Sequence, residues 1–489
     1  MSVTNLLSTA RGALLAHQRA VGVIGHNIAN AETPGYTRQR PRLAALGPES
    51  LAAGQPGRGV QLVAIERLRI DFFDESWRRE AGLGSRYRTL EQVLGQISGV
   101  VGEPSDAGLS ASLDGLIDAF HALAANPIDP AAHAVALAKA QELVGKFQNI
   151  DTRLRQIGAN IGAELSQVVR DANSLIVELD GLNGKIRLTG GTAPDLLDRR
   201  DAILDQLSQQ LDVRIIDRGQ GAVDVLVGGL QVVNATGGSQ PVSVTGLGPY
   251  QVAVGNPPTT IGQVGGRVGG LLEAFGLLGA GGTATSRATG LRGQLDDLAL
   301  GIVAAINQIH SDYDPLTKPL QPTLTPAPTP LRTIDPLFDP AGVTAGSIAL
   351  NPAVVADPTL LAAGWSTAPG DNSIALRLGQ LRNLAVPIPG ATAGAPSSPA
   401  VAAGPPMVLG DYYGSVVGTL GIVTREATNQ ALGQDALVDH LEAQRQNIGG
   451  VSLDEEMVLL IEHQQAYAAA ARLVKVADEM LEELVNLGR

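Results

Sequence analysis

The two ends of this 489-residue chain carry matching patterns of apolar residues. In both terminal segments these positions recur at alternating steps of three and four residues, the heptad pattern of helices that pack side by side. Because such a stripe is stable only when it is buried, we expect the two segments to pair with each other or with copies of the chain. The stripe residues are Leu7, Ala10, Leu14, His17, Val21, Ile24 and Ile28, and then Leu453, Met457, Leu460, Gln464, Tyr467, Ala471, Val474, Asp478, Leu481 and Val485.

The amino-acid composition limits the kinds of binding partner and the export route that we expect for this chain. Hydrophobic residues make up 44% of the chain, which is typical of a globular protein. The 48 acidic and 35 basic residues give a net charge of −13, which disfavours nucleic acid as a binding partner. There is no cysteine, so disulfides and thiolate metal sites are excluded. The first residues lack the pattern of a cleaved secretory signal, and the longest uncharged run, 225–266, is broken by glycine and proline. We therefore expect no membrane insertion and, for any export, a route without a cleaved signal.

Helical periodicity dominates from Asp74 to Gln210, and its centre is one very long helix. The start signal is Asp129-Pro130 and the stop signal is Thr189-Gly190-Gly191. At 1.5 Å per residue this helix spans on the order of 80 Å, so the molecule is expected to be elongated. A second helix is predicted from Asp195 to Leu211.

Beyond residue 211 the period drops to two, which predicts antiparallel strands. A helix is expected again from near Ser286 past Ile309. The later expectations are a strand at 347–350, helices at 372–384 and 412–447, and loops in the proline-rich stretches 315–340 and 387–406.

The predicted fold class is mostly α with an inserted β-rich domain, an α+β arrangement. The predicted parts are a terminal coiled-coil domain (1–33 plus 452–489), a long helical bundle domain (34–211 plus 283–312 plus 407–451) and a β-rich outer domain with the proline-rich excursions (212–282 plus 313–406).

Two acidic clusters have structural interpretations that we favour over catalytic ones. Ser452 stands three residues before Glu455 and just ahead of an apolar-periodic run, which is typical of a capping box at a helix start. The sequence DLLDRRD at 195–201 is interpreted as a solvated helix start rather than a site.

The remaining polar and glycine patterns do not indicate an enzyme. The histidines lack metal-site spacing, and His17, inside the N-terminal stripe, is expected to fix helix register. Gly265, Gly266, Gly269 and Gly270 do not form a phosphate loop and are interpreted as turns. No GxSxG motif is present either. The sequence thus predicts no catalytic residue, no metal and no cofactor.

Thr33-Pro34-Gly35-Tyr36 has the residues of a type II turn directly after the first helix. The surrounding NIANAETPGYTRQR (27–40) resembles the N-terminal signature of the bacterial flagellar axial proteins, and its TPGYTRQ is the variant of the hook-associated type. The resemblance continues in APDLLDRRDAIL (193–204), in 295–310, in Gly370-Asp371-Asn372 and along nearly all of 451–487.

This resemblance implies an exported structural subunit of the junction between the flagellar hook and filament, polymerised as a helical adaptor layer. The implied partners are further copies of the chain, the hook protein, the next hook-associated protein and a cytoplasmic export chaperone on the C-terminal helix. The implied route is the flagellar type III pathway, ending on the extracellular flagellum. The residues expected to mediate assembly are Leu7, Leu14, Val21, Ile24, Ile28, Met457, Leu460, Tyr467, Val474 and Leu481.

Three glycines, Gly12, Gly22 and Gly25, each cost the first helix about 1 kcal/mol relative to alanine. We therefore expect this helix to become ordered on assembly. Two alternatives stay open at this point: a hook or distal rod subunit, and a secreted coiled-coil adhesin with the sheet region as its binding module.

Overall fold

The computed structural model describes residues 3–46, 59–246, 248–279, 290–311, 334–366, 368–388 and 406–487. The helices are α1 (Val3–Ala29), α2 (Asp71–Val101), α3 (Leu109–Ala125), α4 (Pro130–Leu188), α5 (Pro194–Gln210), α6 (Gly266–Leu278), α7 (Leu291–Ser311), α8 (Pro352–Ala356), α9 (Ser373–Gly379), α10 (Leu409–Gly449) and α11 (Leu453–Leu487). The strands are β1 (Gln39–Ala45), β2 (Val60–Arg67), β3 (Val213–Asp217), β4 (Val223–Val227), β5 (Leu230–Val233), β6 (Val242–Thr245), β7 (Gln251–Val254), β8 (Thr259–Ile261), β9 (Ala385–Pro387) and β10 (Pro406–Val408). The predicted fold class, mostly helical with inserted antiparallel strands, is confirmed.

The longest helix, α4, begins and ends where its local signals place it. The Asp129 carboxylate accepts a hydrogen bond from the Ala131 backbone N–H at 2.9 Å, and Pro130 occupies the first helical position. At the other end Gly191 has a positive φ and donates its N–H to the Ile186 carbonyl at 3.0 Å. The 59 residues of α4 span about 88 Å. The prediction of one very long helix is therefore confirmed.

A continuous hydrophobic core follows α4 along its length. Helices α3 and α5 pack directly on α4, and α2 lies against α5, α6 and α10. The chain thus runs outward through the first helices and returns through α10. The fully buried side chains of α4 include Ala140, Leu143, Phe147, Leu154, Leu165, Ala172, Leu179 and Ile186.

The predicted antiparallel strands form two three-stranded sheets, β3-β4-β5 and β6-β7-β8, and both sheets lie beside α4. Two asparagines of α4, ten residues apart, hold them there. Asn183 donates to the Val223 carbonyl (2.8 Å) and accepts from the Val223 N–H (3.2 Å). Asn173 makes the same pair of bonds with Val242, at 2.7 and 2.8 Å. Each amide side chain thereby satisfies the backbone groups of one strand residue, which fixes each sheet against the helix.

Several elements were not predicted from the sequence, among them α6 and the hairpin of β1 and β2. These strands pair antiparallel from Gln39 opposite Arg67 to Ala45 opposite Val60. The hairpin lies against α1, where the Gly12 position of α1 comes close to the Val60 carbonyl. It therefore ties the N-terminal helix to the segment that leads into α2.

Several local predictions are wrong. Gly266, Gly269 and Gly270 lie inside α6 rather than in turns. Glycine is required at 270 because α6 approaches α2 closely there, and a Cβ would stand 2.5 Å from the Arg86 carbonyl oxygen. The strand at 347–350 is reduced to a single bridge between Phe338 and Leu350. By contrast, the helix predicted at 372–384 is present, as α9 followed by one turn of 3₁₀-helix, Gln380–Asn383.

Some predictions lie outside the described residues. These are the helix start near 286 and most of the proline-rich stretches, at 312–333 and 389–405. The three-part domain division stays a prediction.

Candidate assembly site

The N-terminal and C-terminal helices meet in space as an antiparallel pair. His17 of α1 contacts His463 of α11, and Asn27 contacts Glu456, so the residue order of one helix reverses that of the other. Small side chains permit the close approach, because most of the buried positions are alanines. The buried apolar residues of the two helices are Ala10, Ala16, Ala20, Val23, Ile24, Ala470 and Ala477.

The structure divides the predicted assembly residues between the inside and the outside of this pair. Ile24 is buried, and Met457 and Tyr467 are exposed. The others are half-buried: Leu7, Leu14, Val21, Ile28, Leu460, Val474 and Leu481. Their role in assembly stays a prediction.

The exposed side of α11 carries several large apolar side chains. Val458 is 66% exposed and Ile461 is 50% exposed. We call this surface the outer ridge and define it as Met457, Val458, Ile461, Leu473, Val476 and Met480, all exposed. Its members form two groups, at 457–461 and 473–480, and exposed groups of apolar residues of this kind are typical of surfaces that bind another protein.

Asn27 is the centre of a polar junction at one end of the helix pair. It is 1% exposed, and its amide donates to the Gln39 carbonyl at 2.8 Å and to Glu456 Oε2 at 2.9 Å. Its Oδ1 accepts from the Gln39 N–H at 2.9 Å and from the Tyr36 hydroxyl at 2.7 Å. Burial, followed by nearby carboxylates including Asp198, raises the pKa of Tyr36, so the phenol stays protonated as a donor. One side chain therefore joins α1, the TPGY segment, β1 and α11.

The turn inside this junction has the predicted geometry. Gly35 has φ +79°, and the Tyr36 N–H donates to the Thr33 carbonyl at 3.1 Å. A positive φ at the third position defines a type II turn and favours glycine there.

Arg38 completes the junction by binding two neighbouring carboxylates of α11. Its Nε donates to Glu456 Oε1 and its Nη1 to Glu455 Oε2, both at 2.6 Å. The Glu456 side chain is 1% exposed and the Glu455 side chain 63% exposed. The predicted capping contact is present only at a long distance, with the Glu455 N–H 3.5 Å from Ser452 Oγ. These acids therefore act mainly as partners of Arg38.

The start of α5 is also part of the junction, so the interpretation of 195–201 as a solvated helix start is wrong. Asp198 and Asp201 are buried. Asp198 Oδ2 accepts from the Thr37 N–H at 3.2 Å, and Asp195 Oδ1 accepts from Gln39 Nε2 at 3.1 Å. The interpretation as a solvated helix start is wrong because β1, β2 and α2, which are distant in sequence, bury these charges.

A buried arginine–carboxylate cluster connects this junction to the bundle. Four arginines surround the Asp201 carboxylate. The distance from the carboxylate to the closest guanidinium nitrogen is 2.7 Å for Arg200, 2.8 Å for Arg67, 3.1 Å for Arg69 and 3.5 Å for Arg78. Burial by itself raises the pKa of Asp201, but these four arginines outweigh it and hold the pKa well below its usual range.

Arg445 near the end of α10 extends the same cluster. Its Nε lies 2.8 Å from Asp74 Oδ1 and its Nη2 2.7 Å from Asp205 Oδ2, and its guanidinium covers the Trp77 ring at 4.7 Å. The cluster thereby links β2, α2, α5 and α10. Sequence analysis did not find it, although the density of arginines in 67–88 was a visible signal.

The part of the chain that the structure describes has no group of three or more His, Asp or Glu residues arranged to hold a metal ion. Among the same residues, no helix is both long and apolar enough to cross a membrane.

Three family models match the chain in order along its length. The Flagella basal body rod protein family matches 7–37, the Flagellar hook-associated protein FlgK helical domain matches 94–314, and the Flagellar basal body rod FlgEFG protein C-terminal family matches 443–487. The first and last of these ranges contain the two sides of the polar junction.

Curated relatives match over nearly the whole chain. Flagellar hook-associated protein 1 of Bacillus subtilis (strain 168) is 29% identical, with 98% of this chain and 97% of that protein covered. Flagellar hook-associated protein 1 of Escherichia coli (strain K12) is 25% identical, with 99% and 100% covered. Among solved structures, the flagellar hook junction protein FlgK from Burkholderia pseudomallei has a TM-score of 0.58 at 15% identity, over 77% of this chain and 100% of that chain. This last match shows a shared fold.

Proposed function

We propose that the chain is a member of the flagellar hook-associated protein 1 family and a structural, non-enzymatic subunit of the junction between hook and filament, because the model of the FlgK helical domain and curated relatives of that name match it. The observation that carries the mechanism is the pairing of the two chain ends by α1 and α11, with an apolar outer ridge left uncovered on α11. The family places the protein in the flagellum, outside the cell.

The outer ridge supplies the contact for polymerisation. In the single chain it is exposed, while the opposite face of α11 is occupied by α1. A ridge that binds a different face on the next copy makes a head-to-tail contact, and repetition of such a contact generates a ring or an open helix. A helical layer formed in this way presents one edge to the hook protein and the other to the next hook-associated protein.

The arginine–carboxylate cluster gives this adaptor its stiffness. Force on the helix pair passes through Glu456 to Arg38, and then through the backbone N–H of the neighbouring Thr37 to Asp198 on α5. Because the cluster is buried and joins four elements, bending at this level would separate paired charges in a dry environment. The terminal pair and the bundle therefore move as one body.

Export of the subunit by the flagellar type III pathway, without a cleaved signal, and escort by a chaperone on α11 are further parts of the proposal. An exposed outer ridge would promote aggregation in the cytoplasm, so a chaperone that covers it has a physical purpose. The comparisons do not favour the hook or rod alternative or the adhesin alternative.

The prediction that α1 becomes ordered only on assembly is separate from this role. The structure pairs α1 with α11 within one chain. Circular dichroism of the monomer, compared with a chain lacking 452–489, measures how much of that pairing exists before assembly.

Placement on the flagellum tests the proposed function. A tagged chain should label the boundary between hook and filament in intact flagella. Labelling along the hook or in the rod would contradict the proposal. A chain lacking 452–489 should fail to form the junction, so cells should carry hooks without filaments, and normal motility in such cells would also contradict it.

A further inference from the structure

Two histidines face each other across the α1–α11 contact. His17 Nδ1 lies 3.0 Å from His463 Nδ1, and the ring centroids are 5.3 Å apart at an interplanar angle of 42°. Both side chains are half-buried. His17 was expected to fix register alone, and the structure instead gives it a partner of the same type.

The proton count on this pair decides whether the contact is attractive. With both rings neutral, one Nδ1–H donates to the other Nδ1, which requires the two rings to be different tautomers. One added proton is tolerated, because a cationic ring still donates to a neutral one. A second proton places N–H groups and positive charges on both sides of the contact, where no acceptor remains. The pair is therefore closed with zero or one extra proton and opened by the second.

The charged surroundings do not remove this effect. Burial first and His463 second lower the pKa of His17, while Glu462 on α11 raises it by a smaller amount. On α1 the nearest cations in sequence, Arg11 and Arg19, are exposed to solvent. On the hairpin packed against α1, Arg42 and Glu66 pair with each other at 2.8 Å. Since the paired state binds fewer protons than the open state, stability of the pair falls as pH drops below 6.5.

We propose that His17 and His463 form an acid-sensitive latch that holds the N-terminal and C-terminal helices together at neutral pH and releases them on acidification. The latch regulates the pairing of the chain ends, and its failure would leave the junction assignment untouched. Its position fits this role, because His17 lies between the buried Ala16 and Ala20 of α1, and His463 lies between Glu456 of the polar junction and the buried Ala470 of α11.

The experiment measures the distance between the two helices in the full-length protein. The chain has no cysteine, so Ser8→Cys and Ala471→Cys, both at exposed positions, accept spin labels selectively. We expect a narrow distance distribution at pH 7.5 and a broad one at pH 5. His17→Gln and His463→Gln each remove the second charge, so both variants should stay narrow at pH 5. His440→Gln, at an exposed position on α10, is the matched control and should respond as the parent does.

A parent distribution that is broad at pH 7.5, or unchanged at pH 5, would overturn the latch. So would acid broadening in both glutamine variants. The unsubstituted chain provides a second readout through selectively labelled histidine NMR. The hydrogen bond between the two Nδ1 atoms should be detectable at pH 7.5 and lost at pH 5, and its persistence at pH 5 would also overturn the latch.

Discussion

Replacing Glu456 by alanine should detach the start of α11 from the N-terminal segment. The Glu456 carboxylate is 1% exposed and accepts from Arg38 Nε at 2.6 Å and from Asn27 Nδ2 at 2.9 Å. Its loss leaves a largely buried guanidinium and a buried amide without this acceptor. Removing one partner of a buried ion pair costs about 3–5 kcal/mol. At about 1.4 kcal/mol per factor of ten, the opening equilibrium should rise by about two to three and a half powers of ten.

Glu455→Ala is the matched control, because it is one residue away and binds the same arginine at the same distance of 2.6 Å. Its side chain is 63% exposed, so the expected cost is at most about 1 kcal/mol, or roughly fivefold. Both substitutions remove one acid from the first turn of α11, so their effects on the helix dipole and on helix propensity are similar.

Hydrogen exchange of backbone amides in α11 measures the opening directly. Peptides from the first half of α11 should lose protection by the stated factors in the two variants. Equal losses in both variants, or a loss below tenfold for Glu456→Ala, would refute the inference that burial makes the Arg38–Glu456 ion pair much stronger than the exposed Arg38–Glu455 pair.

Three further predictions concern other parts of the chain. Asp201→Asn removes the charge shared by four arginines and should destabilise α5 by about 3–5 kcal/mol, seen as lost exchange protection there; unchanged protection would count against the cluster. Gly270→Ala places a Cβ 2.5 Å from the Arg86 carbonyl oxygen and should cost about 1–3 kcal/mol, while Gly276→Ala in the same helix meets nothing and should stabilise by about 1 kcal/mol in thermal unfolding; the reverse order would refute the packing. Burial raises the pKa of Asp371, but hydrogen bonds from Ser366 and Ser373 outweigh it and lower the pKa to about 2, so the stability Asp371 provides should be present above pH 3.8 and lost as pH falls toward 2. The stability difference between the parent and Asp371→Asn should therefore shrink over that range, and a constant difference would argue against it.

The elements that are specified by residues close together in the sequence could be predicted from the sequence alone. The α4 helix has its cap, its stop and its apolar period within its own residues, and β3 to β7 have alternating valines between glycine turns. These features specify a helix or a hairpin before any distant contact forms.

The parts that depend on distant partners were missed. The residues of 195–201 have the composition of a solvated helix start, and only the approach of Arg67, Arg69 and Arg78 turns Asp201 into a buried group. Similarly, Gly270 is compatible with a turn until α2 comes within contact distance. Burial of charge and close backbone approach are properties of the packed chain, so a single sequence does not reveal them.

At the assembly site, the periodicity of the two ends predicted that they meet, but not which face of α11 would do so. Heptad positions contain enough apolar residues for two faces, and the alanines at 470 and 477 allow the closer contact. As a result Met457 and Tyr467 point outward and Glu456, an acid, points inward because Asn27 and Arg38 satisfy it.

Burial of the outer ridge on assembly tests the central claim most directly. Ile461→Cys introduces the sole thiol of the chain on that ridge. We expect a maleimide to react with it rapidly in the monomer and at least tenfold more slowly in purified flagella, where a neighbouring copy covers the ridge. Equal reaction rates in the monomer and in flagella that carry the protein would contradict the proposed assembly surface.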